Sequence, residues 1–142
     1  MSTYIIDTSV ILKWFNQKNE ERINIAKQIY DDMIDGKITI IIPTLLQIEL
    51  INVLLTAKKL PSAEIKKILN DLILLPLIIK EPTQKVFEET LDIMKLFSLA
   101  AYDALFLAMA KQEKCKLISD DRKGHGKIMD GSVIMLKDYA VS

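Results

Sequence analysis

The sequence predicts an α/β fold: a parallel sheet of four to five strands flanked by helices on both faces, a three-layer α/β/α arrangement using the whole chain, 1–142, as a single domain. Three observations predict it. Strand-length apolar runs alternate with helix-length amphipathic ones. The strand runs are apolar throughout rather than at every second residue, as strands covered on both faces are. At 142 residues, 50% of them hydrophobic, the chain is the size of one domain with a substantial core.

Tyr4 to Ile6 reads as a short buried strand, after which Thr8 or Ser9 caps a helix begun at Val10 and continued to Phe15. From Glu20 to Ile34, apolar Ile23, Ala26, Ile29, Tyr30, Met33 and Ile34 fall at near-helical spacing, and Gly36 ends the helix. Ile38 to Ile42 is the second strand. Pro43-Thr44 opens a helix through Ala57, and Pro61-Ser62 opens another through Leu75. Leu77 to Ile79 reads as a short third strand. Helices follow at Thr83 to Leu96 and Tyr102 to Glu113, and the last strands are Lys116 to Ser119 and Val133 to Leu136.

Composition narrows the function. Nineteen basic and nineteen acidic residues give zero formal net charge, so no bulk field advertises a nucleic-acid binder and any polyanion site is a local patch. Cys115 has no partner for an internal disulfide and no paired Cys/His spacing for zinc, which suits a reducing, cytoplasmic setting. No basic leader precedes the first strand. Ile38 to Ala57 is apolar enough to raise a membrane span, but Pro43, Gln47, Glu49 and Asn52 interrupt it, so no membrane is expected.

The informative residues are acids without neighbours. Asp7 is the only charge before Lys13, Glu49 the only one between Lys37 and Lys58, and Asp103 the only one between Lys95 and Lys111. An isolated carboxylate in an apolar run must be exposed, neutral, or matched by a counter-charge. In a parallel sheet, sites form beyond the carboxyl ends of the strands, where Asp7 and the pair Asp120-Asp121 fall. Asp103 starts the helix before the later strand, and Glu49 is long enough to reach the same edge. Converging carboxylates repel by several kcal/mol unless a cation lies among them. All-oxygen ligands select a hard ion, Mg²⁺ or Mn²⁺, one or two in number, and such ions complete their shells with water and phosphate.

Taken singly, Asp7 and Asp103 also suit helix caps and Asp120-Asp121 an ordinary turn. Glu49 in mid-helix is the hardest to explain so, since it gains nothing from the helix dipole, a partly exposed face being the alternative. His125, between Gly124 and Gly126, reads as a solvated loop residue, and Trp14 with Phe15 as core. Lys58-Lys59 and Lys66-Lys67 read as solvated helix ends and faces. Leu50, Val53 and Leu54, with Ile65, Ile68, Leu69 and Leu72, exceed the needs of one small core and suggest a dimer face. Haloacid-dehalogenase-type phosphatases need a second Asp two residues after the first, where this chain has Ser9. Response-regulator receivers need an Asp ending a middle strand, where it has Pro43.

YIIDTSVIL, IELINVL, AAYDALFLAMA and KLISDDR, in that order over nearly the whole chain, resemble the PIN-domain nucleases, and closely the VapC-type toxins of prokaryotic toxin–antitoxin pairs. The resemblance implies a Mg²⁺- or Mn²⁺-dependent endoribonuclease that is homodimeric and neutralised by a cognate antitoxin whose tail enters the acidic groove. Asp7, Glu49 and Asp103 match its first three acids. Its fourth motif, a Ser or Thr two positions before an acid, selects Ser119 and Asp121, with Asp120 the substitute. Thr8 and Ser9 stand where the family has small hydroxyl residues supporting the first acid or bound water. Arg122, Lys123 and Lys127 offer local phosphate contacts for RNA. The implied chemistry is metal-assisted hydrolysis, with Glu49 or Asp121 taking the water's proton. A fold of this kind that has lost its chemistry and serves as a binding module is the alternative, and DNA remains open as a substrate.

Overall fold

The computed structural model describes residues 1–140. Among them five strands form one parallel sheet in the order β3-β2-β1-β4-β5: β1 Ser2–Ile6, β2 Ile38–Pro43, β3 Ile78–Lys80, β4 Lys116–Ser119 and β5 Val133–Met135. Six α-helices flank it in three α/β/α layers: α1 Thr8–Phe15, α2 Ile23–Ile34, α3 Leu46–Asn52, α4 Ser62–Ile73, α5 Gln84–Phe97 and α6 Ala101–Gln112. A π-helical turn, Val53–Ala57, continues α3 without a break.

Burial explains why the strand sequences look as they do. Ile5 and Ile6 of β1, Ile40 to Ile42 of β2, and Leu117 and Ile118 of β4 are all buried, because successive side chains point to opposite faces and both faces are covered. The edge strands β3 and β5 are only partly buried and correspondingly short. Helix α6 is buried over the unbroken run Ala104 to Ala110, so it is apolar on every side and lacks the striped pattern of α2, α4 and α5.

The chain builds outward from β1 to β2 and β3, then returns to place β4 on the other side of β1. The order therefore reverses between β1 and β4, where the carboxyl ends of two adjacent parallel strands part and leave a crevice. Register pairs Ile6 with Ile118, so Asp7 and Ser119 leave the sheet side by side.

Four sequence expectations change. Asp7, rather than Thr8 or Ser9, caps α1, its carboxylate accepting from the Val10 amide. Helix α2 starts at Ile23 instead of Glu20, because Arg22 takes a left-handed conformation (φ 54°) with its guanidinium drawn to Asp120. Leu50, Leu54, Ile65, Ile68 and Leu72 are buried within this chain and are not a dimer face. Lys58 is not a solvated helix end: its ammonium is largely buried against Glu20, at 2.7 Å.

Candidate metal centre

The isolated acids meet at the crevice between β1 and β4. Asp7, Glu49, Asp103 and Asp121 line one cleft of about 230 Å³, with Thr8 and Ser9 beside them. Asp7 arrives from the end of β1, Asp103 from the first turn of α6, Asp121 from the loop after β4, and Glu49 from the first turn of α3, not from mid-helix as the sequence suggests, because that helix starts late. A helix N-terminus favours negative charge, so α6 offsets part of the cost of half-burying Asp103.

Asp7 is the best-held of the four. Its Oδ1 accepts from the Ser9 hydroxyl at 2.6 Å and the Val10 amide at 3.3 Å, and its Oδ2 accepts from the Ser119 hydroxyl at 2.6 Å. Both serines work in two directions. Ser9 Oγ also accepts from the Asp120 amide at 2.9 Å, and Ser119 Oγ from the Asp121 amide at 3.0 Å, so the chain after β4 is tied to the carboxylate at the end of β1.

His125 completes this support and corrects the expectation of a solvated loop residue. The loop after β4 folds back, and the imidazole is fully buried. Its Nε2–H donates to the Asp103 carbonyl at 2.8 Å, while Nδ1 lies 3.1 Å from Asp7 Oδ2 and 2.8 Å from Ser119 Oγ. With one proton committed to a carbonyl and the other nitrogen facing a carboxylate, the doubly protonated ring satisfies every contact. Burial opposes that charge, but the Asp7 carboxylate outweighs it, and the His125 pKa is pushed up to about 9. The only sequence signal for this role was a histidine between two glycines directly after the acids, a pattern that solvated loops share.

Asp103 and Asp121 face each other across the cleft, with carboxylate oxygens within 4.8 Å. Burial first, then the charges of Asp121 and Asp7, push the Asp103 pKa up to about 6, although His125 pulls the other way. Burial likewise raises Glu49, helped by Asp7 and Asp103, although the Thr8 hydroxyl and His125 pull the other way. Donor atoms of Asp103, Asp121 and His125 all lie within 4.8 Å of one another.

Asp120 takes no part in the cleft. It turns the opposite way into a largely buried ion network, where Arg22 donates from Nε at 2.7 Å and from a terminal nitrogen at 2.9 Å, and Lys13 lies 3.0 Å away. Lys13 also bonds Glu20 at 2.8 Å. Burial raises the Asp120 carboxyl, but the Arg22 and Lys13 cations bring its pKa below the ordinary value. Arg122, Lys123 and Lys127 stand exposed on the loop that carries Asp121.

The cleft suits a hard divalent cation on three counts. Its donors are carboxylate oxygens held in mutual repulsion, which a cation relieves. The buried Thr8 hydroxyl lies beside Glu49 and favours its charged form, adding a neutral oxygen to the lining. Gly124 puts no side chain between the acids: a Cβ there would lie 2.2 Å from Asp121 Oδ2 and 2.7 Å from Asp103 Oδ2, so the backbone leaves open the space between the two carboxylates.

Comparison with known proteins agrees with this topology. A toxin–antitoxin complex from Klebsiella pneumoniae contains a chain that superposes with a TM-score of 0.66 at 19% identity, over 96% of this chain and 99% of that one. VapC20 of Mycobacterium tuberculosis, described as a sarcin-ricin loop cleaving toxin, gives a TM-score of 0.66 at 12% identity over 90% of both chains. VapBC2 of Rickettsia felis, bound to a DNA fragment from its promoter, gives 0.64 at 15% identity over 94% of this chain and 98% of that one. At these identities the likeness is one of fold. No curated protein matches in sequence. The sequence does match the PIN-domain family over residues 4–127, nearly all of its length and all four acids, and the chain belongs to that family.

Proposed function

We propose that this protein is a Mg²⁺- or Mn²⁺-dependent endoribonuclease, the toxin of a VapBC-type pair. The observation that carries the reading is the meeting of Asp7, Glu49, Asp103 and Asp121 in one cleft, with the hydroxyls of Thr8 and Ser9 beside them. Asp7, Glu49, Asp103 and Asp121 would hold one or two ions, whose chemistry would be to lower the pKa of a bound water and offset charge on the scissile phosphate. The side chains do the rest. Asp7 is fixed by Ser9, Ser119 and His125, Asp103 and Asp121 oppose each other across the cleft, and Glu49 or Asp121 accepts the proton of the attacking water. Arg122, Lys123 and Lys127 meet the phosphates flanking the cut.

The structural relatives from toxin–antitoxin complexes support an antitoxin partner, whose basic tail an acidic cleft would receive. We propose a homodimer as well, because Ile48, Leu55, Leu91 and Leu96 stand exposed and offer apolar surface for a second copy. No single helix among the described residues is long and apolar enough to cross a membrane. The free Cys115 is compatible with action in the cytoplasm.

The test is cleavage of structured RNA by the purified chain with Mn²⁺, with Mg²⁺ and with chelator, alongside Asp103→Asn. Metal-dependent cleavage lost in the variant is expected, with a fall of at least about a hundredfold. Binding of RNA without cleavage under every condition would instead establish the non-catalytic module, and cleavage of DNA in place of RNA would move the substrate class.

A further inference from the structure

We propose that Gly124 is a positioning residue for the metal centre: its missing Cβ keeps open the space between Asp103 and Asp121 that the cation needs. The inference rests on the metal-dependent reading above and extends it to a residue with no donor atom.

The sequence offers two glycines in this loop, and the structure separates them. A methyl group at Gly124 would lie 2.2 Å from Asp121 Oδ2, 3.1 Å from Asp121 Cγ and 2.7 Å from Asp103 Oδ2, all far inside contact distance. At Gly126, two residues on, the nearest atom would be the Asp121 carbonyl oxygen at 3.7 Å, an ordinary contact. At a φ of −90°, Gly124 is not in the left-handed region that glycine favours. The requirement is set by the two carboxylates.

The same geometry says how the chain would yield. The colliding atoms are the ends of two side chains, and these rotate more readily than the backbone shifts. Rotation would carry the Asp121 and Asp103 oxygens apart and break the Gly124 amide's bond to Asp121 Oδ1, which at 3.0 Å fixes that carboxylate's orientation. Asp7 would keep its four contacts, since none involves Gly124. Gly124→Ala therefore separates holding a metal from holding the fold, which substitutions of the ligands themselves do not, because those also change the charge.

The experiment is calorimetric titration of Mn²⁺ into the wild-type chain, Gly124→Ala and Gly126→Ala, with thermal melts of each in chelator. We expect the wild type and Gly126→Ala to bind within about twofold of each other and Gly124→Ala to bind at least roughly tenfold more weakly. The chelated melting temperature of Gly124→Ala should stay close to that of the wild type. Equal Mn²⁺ affinity in all three would overturn the role of Gly124 while leaving the metal reading intact. No Mn²⁺ binding by the wild type would remove the reading itself, and the inference with it. Should Gly124→Ala fail to fold, it is repeated in an Asp103→Ala, Asp121→Ala background, where both colliding carboxylates are gone. Recovered folding there supports the clash described, and continued unfolding refutes it.

Discussion

At the scale of single residues, the centre balances one buried cation against several acids. Asp103, raised to about 6 from an ordinary 3.8, binds its proton more tightly folded than unfolded. Its effect on stability is nil below pH 3.8, turns unfavourable as the pH rises to about 6, and stays so above. In chelator, Asp103→Asn should therefore be more stable than the wild type by about 1–2 kcal/mol near neutral pH, allowing for solvent screening of a half-buried group. That advantage should fade as the pH falls toward 4, and Mn²⁺ should stabilise the wild type more than the variant. Urea midpoints against pH, with and without Mn²⁺, measure both; an Asn variant less stable by the same amount in either condition would make Asp103 a mere helix cap. His125 runs the other way. Raised from 6.5 to about 9, it contributes stability that is complete below pH 6.5 and lost as the pH rises through 9. The stability gap between wild type and His125→Gln should accordingly narrow over that range in chelator. Asp7, Glu49 and Asp103 were legible in the sequence because each is the lone charge in a long apolar run. His125 was not, because its role depends on how a loop folds back over residues that lie up to 118 positions away in sequence.

At the scale of elements, the strands were the most legible part. A parallel strand covered on both faces must be apolar throughout, and β4 has the bounds its sequence suggests. Helix starts were less so, since long-range partners set them. Thr44 donates its amide to the Lys80 carbonyl and prolongs the sheet edge, which delays α3 to Leu46. Nor does sequence distinguish the π-turn Val53–Ala57 from a continued α-helix, because both present Leu54 to the core. The end of β4 is where two adjacent acids part company. Asp121 enters the cleft, while Asp120 meets Arg22 and Lys13 and so pins the connection between α1 and α2 to the sheet. Removing one partner of a buried pair leaves its charge uncompensated and costs about 3 kcal/mol. Asp120→Asn should thus lower the chelated stability by roughly that amount yet keep the full gain from Mn²⁺. Asp121→Asn should lose the Mn²⁺ gain with little cost in chelator. Thermal melts of the two variants decide the assignment, and the opposite pattern would make Asp120 the ligand.

At the scale of the whole molecule, zero net charge means that attraction to a polyanion has to come from where the cations stand rather than from how many there are. The acids of the cleft repel a phosphate backbone until a cation offsets them. Lys13 and Lys58 are unavailable to nucleic acid because they are largely buried against Glu20. Arg122, Lys123 and Lys127 are exposed on the loop that leaves the cleft. If each contacts one phosphate of a single-stranded segment, log affinity should fall against log salt with a slope of about −2, at roughly −0.7 per contact. Replacing all three by Ala should bring the slope close to zero and weaken binding at low salt alike for unrelated sequences, since phosphate contacts carry no base information. The chelated melting temperature should not move, because exposed side chains far from the core contribute little to stability. Fluorescence anisotropy with labelled RNA, in an Asp103→Asn background that leaves the strand intact, measures the slope. An unchanged slope in the triple variant would place the nucleic-acid path on another face, whereas a loss confined to one RNA sequence would turn these residues from phosphate contacts into base readers.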